Sequence, residues 1–228
     1  MTNTMNPFLT EYHTPYHTTP FHLIRMEHYE PAMLQGMEEH NKEIEAIIQN
    51  PDEPSFSNTI VALEKSGELL NRVSTVFSNL HSAETNDEMD ALAEKIMPML
   101  TEHSNNITLN AQLFNRIKAV YDNKDHLSLN GEEYMLLENT YQSFIRSGAN
   151  LCEKDKDEFK RISADLSLNI LKYSQNLLKE TNAYELRLSE EQLQGLPESA
   201  IATYAQTAKE KGKEGYIVKD VVIDGYSV

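Results

Sequence analysis

The run from Cys152 to Thr181 contains neither glycine nor proline. Within it Phe159, Ile162, Leu166, Ile170, Tyr173 and Leu177 recur at steps of three and four. That spacing puts them on one stripe of an α-helix. At 1.5 Å per residue the helix is roughly 40 Å long, enough to cross a whole domain. Leu168, Leu171 and Leu178 add a second stripe beside the first. An apolar arc so wide predicts packing against several neighbours, which makes this helix the expected spine. Gly148, just upstream, suits a helix end because it tolerates φ > 0.

The remaining chain reads the same way. A first helix is expected over 27–49, buried through Tyr29, Met33, Met37, His40, Ile44 and Ile47, with Pro31 in its first turn. Pro51 and Pro54 stop it. A second is expected over 56–80, capped by Ser55, with Gly67 on its apolar stripe as a close-contact point. A third opens at a capping box, Thr85 with Glu88, and kinks near Pro98. A fourth covers 110–123. A fifth, capped by Asn130 with Glu133, runs to Ser147. After the spine, Pro197 opens a seventh that ends at Gly212. Ala183–Leu188 reads as a short strand, and Tyr216–Val228, with Val218, Val221, Val222 and Ile223, as a second. The expected fold class is all-α: a multi-helix bundle of about seven helices, with an extended N-terminal arm and a small C-terminal β-hairpin. The expected division is 1–26 as an arm packed on the body through apolar teeth, 27–182 as the bundle, and 183–228 continuous with it.

Composition excludes several function classes. The 228 residues carry a net charge of −16 with a pI near 4.9. No basic stripe interleaved with aromatics is present, which argues against nucleic acid and against an anionic membrane surface. No apolar run approaches the ~20 residues that span a bilayer. Residues 1–20 are polar, so no secretion signal is read. One cysteine suits a reducing compartment, and a cytoplasmic location is expected.

Candidate chemistry is sparse. His13, His17 and His22 cluster in sequence, but Pro15 and Pro20 break helical spacing, so they read as polar teeth of the arm. His40 with Glu43, and His103 with Asn106, lie on apolar stripes and read as core histidines. The acidic stretches Glu153–Glu158 and Glu190–Glu191 match no calcium loop and read as solvated faces. Met33, Met37, Met97, Met99, Tyr134 and Tyr141 read as core. Cys152 falls where a helix N-cap belongs, so it is the one candidate reactive thiol, with no catalytic role. No catalytic or metal-binding residue is assigned, and no substrate-binding residue can be named.

Six strings in order carry a resemblance: Asn6–Tyr16 (NPFLTEYHTPY), Glu27–Ala32 (EHYEPA), Asn58–Leu70 (NTIVALEKSGELL), Ser82–Asp87 (SAETND), Arg146–Leu151 (RSGANL) and Gly195–Ala202 (GLPESAIA). Together they resemble the N-terminal region of the zinc oligopeptidase family that contains thimet oligopeptidase, oligopeptidase A and bacterial dipeptidyl carboxypeptidase, nearest the last type. The resemblance implies a helical fold forming one wall of a channel that admits short peptides. It also implies zinc in the full-length family member, held by H-E-x-x-H in a catalytic half. This chain contains no His-Glu dipeptide, so it has no cofactor of its own and is expected to be inactive alone. Expected partners are short peptides and that catalytic half. Self-association through the uncovered face or the terminal strand is also expected. The alternative is a free-standing helical module that binds peptides or proteins.

Overall fold

The computed structural model describes residues 5–218. They divide into two compact units, one ending at Leu168 and one beginning at Asn169, and each is described by itself.

In the first unit, α1 (Met26–Ile48) is followed by a π-helical turn, Phe56–Val61, and the short α2 (Ala62–Glu64). Then come α3 (Glu68–Ala83), α4 (Asp87–Thr108), α5 (Ala111–Asp122), α6 (Gly131–Arg146) and the start of α7 (Glu153–Ala183). One core joins Ile44 and Ile47 of α1 with Ile60, Ile107, Leu113, Ile117, Val120, Leu137 and Phe144. A second buried stack runs from Phe8 to Tyr29 at 5.2 Å and on to Phe77 at 5.3 Å.

The ends of these helices are satisfied locally. Ser55, Asn110 and Asn130 accept hydrogen bonds from the first free backbone N–H groups of their helices. α6 closes with a pair of bonds, Ala149 N–H to Phe144 O and Gly148 N–H to Ile145 O, with Gly148 at φ 88°. That is the Schellman arrangement. At the start of α1 the Arg25 N–H donates to His28 Nδ1 at 3.0 Å, a reciprocal cap that sequence reading did not foresee. Arg116 reaches from α5 to the carbonyl of Asn50 at 2.9 Å and so pins the irregular link after α1.

Several expectations are corrected. Because α1 begins at Met26, Pro31 sits in its second turn, where its missing N–H leaves the Glu27 carbonyl without an intrahelical partner. The helix expected over 56–80 is interrupted, because Gly67 adopts φ +72° and restarts the chain as α3. The close contact expected at Gly67 does exist. A Cβ there would lie 2.8 Å from His40 Nδ1. The cap of α4 is Asn86, not Thr85, whose hydroxyl donates instead to Asp90 at 2.7 Å. Among the apolar teeth of the arm, Phe8 and Tyr12 are buried. Tyr16, Phe21 and Leu23 are exposed, because they fall in or beside turns beyond the anchored segment.

The second unit holds the rest of α7, β1 (Leu186–Leu188), α8 (Glu198–Glu210) and β2 (Tyr216–Val218). The strands pair antiparallel, Leu186 with Val218 and Leu188 with Tyr216. They form a small sheet rather than a hairpin, since α8 lies between them in sequence. Val221, Val222 and Ile223 lie outside the described residues. Gly212 ends α8 with the same bond pair seen at α6, Lys213 N–H to Ala208 O and Gly212 N–H to Lys209 O. Glu185 accepts from both Lys211 and Lys213, and these ammonium groups hold its carboxyl down to about 2.

α1 and α3 come close at Gly36, where a Cβ would meet the Leu70 Cα at 2.8 Å. Backbone cannot rotate away as a side chain can. Gly36→Ala is therefore expected to cost about 1–3 kcal/mol of stability in urea denaturation, the usual range for overpacking.

Candidate functional site

The polar centre of the first unit lies where α1, α4 and the turn between α2 and α3 meet. The left-handed Gly67 brings that turn against α1, and Glu43 of α1 accepts the Gly67 N–H at 2.7 Å. One helical turn before Glu43, His40 faces Ser66 and His103. The Ser66 hydroxyl donates to the Leu63 carbonyl at 2.7 Å, which leaves its oxygen to accept from His40 Nε2–H at 3.2 Å. His40 Nδ1 is then bare and accepts from His103 Nε2–H at 3.0 Å. The two rings are 5.0 Å apart and tilted by 57°. A polar chain thus runs His103–His40–Ser66–Leu63 through three separate segments.

Burial sets the charge state of this chain. Removal from water pushes the His40 imidazole below its ordinary range, against a smaller upward pull from the Glu43 carboxylate. His103 is lowered by burial and then by its neighbour His40. Both rings are therefore neutral near neutral pH. They stand on the wall of an open cleft of about 970 Å³, floored by Leu63, Leu70, Leu100, Ile107 and Phe144. Each histidine was legible as a residue on an apolar stripe. Their meeting was not, because the two lie 63 positions apart. The one available hint was Gly67 on the intervening stripe.

The second candidate feature is α7, and it corrects the sequence reading most. The helix forms over the expected span, but its stripe is not a core. In the first unit Ile162 is 50% exposed and Leu166 55%; in the second, Ile170 is 57% exposed and Tyr173 68%. Periodicity fixes which side chains share a face, whereas burial also needs a partner. Leu171, on the second stripe, is buried.

The other sequence candidates are placed as follows. Cys152 is exposed and directly precedes α7, its carbonyl accepting the Lys156 N–H at 2.9 Å. His17 Nδ1 lies 2.8 Å from the Tyr12 carbonyl. Tyr134 is 40% exposed, not core. Among the described residues no three His, Cys, Asp or Glu side chains converge as a metal site, so the donors described do not fit a catalytic zinc. Among those residues, too, no helix is long and apolar enough to cross a membrane.

Dipeptidyl carboxypeptidase of Escherichia coli (strain K12) is 40% identical to this chain over 210 residues, which is 92% of the chain and 31% of that protein. The enzyme of the same name from Salmonella typhimurium is 37% identical over 210 residues, again 92% and 31%. The chain is thus similar to the N-terminal region of the thimet oligopeptidase family. It corresponds to the N-terminal part of these relatives and spans about 31% of their length. Oligopeptidase A of Salmonella typhimurium is more distant, at 27% over 214 residues, 93% of the chain and 31% of that protein. No protein-family model matches the chain.

Because the α7 stripe is uncovered in this chain, polar replacement there removes little burial. Ile170→Ser is expected to change stability by less than about 0.5 kcal/mol in chemical denaturation, as at an ordinary surface position. A loss of about 2 kcal/mol or more would show that the stripe is buried in solution.

Proposed function

We propose that this chain supplies the helical channel wall of a zinc peptidase of the peptidyl-dipeptidase type, acting in the cytoplasm on short peptides. The observation that carries this reading is the match of 92% of the chain to the N-terminal 31% of dipeptidyl carboxypeptidases. The chain's lack of a His-Glu dipeptide, and the scatter of metal donors among the described residues, support placing the zinc and the attacking water in a region outside it. The wall's part is to bind, orient and exclude. It presents α7 as an apolar face for that region to cover, and an open face of this kind also gives the chain on its own a route to self-association.

The test is a graft. This chain replaces the matched 210 residues of the Escherichia coli relative, and the product is assayed with zinc for release of C-terminal dipeptides. Turnover is expected from the graft and none from the chain alone. Clear turnover by the chain alone would overturn its role as a wall without its own catalytic centre. A graft that folds but is inactive would overturn its role as a wall for this activity.

A second reading, a free-standing helical module that binds peptides or proteins, is favoured by the open cleft beside His40 and His103. Calorimetry with short peptides separates the two, since the module requires affinity in the chain by itself.

We further propose that Cys152, exposed at the entry to α7, is a modestly reactive thiol without a catalytic role. It should react with a thiol-labelling reagent faster than free cysteine at the same pH. An equal or slower rate removes the claim.

A further inference from the structure

We propose that His40 and His103 form a proton-operated latch, which holds α1, α4 and the Lys65–Gly67 turn together around the cleft and releases when His40 Nδ1 takes a proton. The contact between α1 and α4 at this point is a single N–H shared between two imidazoles 3.0 Å apart. Its donor and acceptor are fixed by the Ser66 hydroxyl, which is committed to Leu63 and leaves Nε2 of His40 as the protonated nitrogen. A first added proton is accommodated on His103 Nδ1, away from the shared bond. A second must go to His40 Nδ1. Two N–H groups then face each other across that distance, and two positive charges share one wall.

The surroundings decide how this conflict resolves. On the turn side the ring has no room, since even a Cβ on Gly67 would stand 2.8 Å from Nδ1. On the other side lies the cleft. Separation of the rings into the cleft therefore relieves the conflict, and it loosens α4 from the turn. Few charged groups bear on the event. Glu43 of α1 draws a proton toward His40 but is itself engaged with the Gly67 N–H. Glu64, Lys65 and Glu68 line the cleft from the turn and its flanks, α4 contributes only His103 as a titratable lining group, and α6 contributes the uncharged Phe144. Burial opposes charging of both rings, so the latch stays closed at neutral pH and opens below the ordinary imidazole range.

The experiment is hydrogen exchange on the full chain at about pH 7.5 and about pH 5, corrected for intrinsic rates, with His103→Gln as the variant. A glutamine amide can donate to bare His40 Nδ1 and, turned over, accept from it once protonated, so it keeps the contact without the conflict. In the unaltered chain, protection of residues 63–71 and 100–107 should fall about tenfold or more on acidification, the equivalent of one pKa unit. In H103Q it should change by less than about twofold. Equal protection at both pH values in the unaltered chain, or an equal fall in H103Q, overturns the latch. Should H103Q fail to fold, the Cε1 proton titrations of the unaltered chain decide. His40 and His103 should titrate in separate steps, both below the usual imidazole value. A single step at that value overturns the latch.

Discussion

The close approach of α1 to the segment after it is the constraint on which the first unit depends. Two glycines permit it by different means. Gly36 removes a side chain where the Leu70 backbone would otherwise collide, and Gly67 accepts a left-handed turn against the face of His40. With the backbones this near, Met33, Val73 and Phe77 are buried, and Phe77 joins the Phe8–Tyr29–Phe77 stack. A larger residue at either glycine would push the helices apart and loosen all of these contacts together.

The same approach creates the polar centre. A turn that carries Ser66 and the Gly67 N–H into the interior brings unpaired polar groups with it. His40 and Glu43, one helical turn apart on α1, meet both of them, and His103 completes the set from α4. The polar chain therefore arises from the packing rather than being added to it. Two neutral imidazoles can share one proton comfortably, so the arrangement is stable at neutral pH and sensitive below it.

How much of this was legible in the sequence can be judged element by element. Ser55, Asn110 and Asn130 mark helix starts that the structure keeps, because a cap is a local bond between near neighbours. Gly148 and Gly212 mark helix ends for the same reason. The break at Gly67 was not legible. Glycine inside an apolar stripe reads equally as a tolerated helix residue or a left-handed restart, and the choice is made by the ring of His40, 27 positions away in sequence. Thr85 lost its capping role because Asn86 beside it reaches two N–H groups at once and Asp90 takes the threonine hydroxyl. The small sheet was half legible: both strands carry β-favouring residues, but their register depends on α8 folding between them.

The sequence by itself determined that the chain is helical, the helix starts at Ser55, Asn110 and Asn130, the ends at Gly148 and Gly212, and which side chains share a face, since these follow from propensity and spacing along the chain. It also carried the resemblance to the peptidase relatives, through strings spread over most of its length, and it contains no His-Glu dipeptide. The tertiary structure alone decided which faces are covered. It buried the stripes of α1 and α5 and left that of α7 open, a distinction that periodicity cannot make because both kinds of stripe are spaced alike. It alone set His40 against His103, because contact between residues so far apart in sequence is fixed by how helices pack and not by what either helix contains.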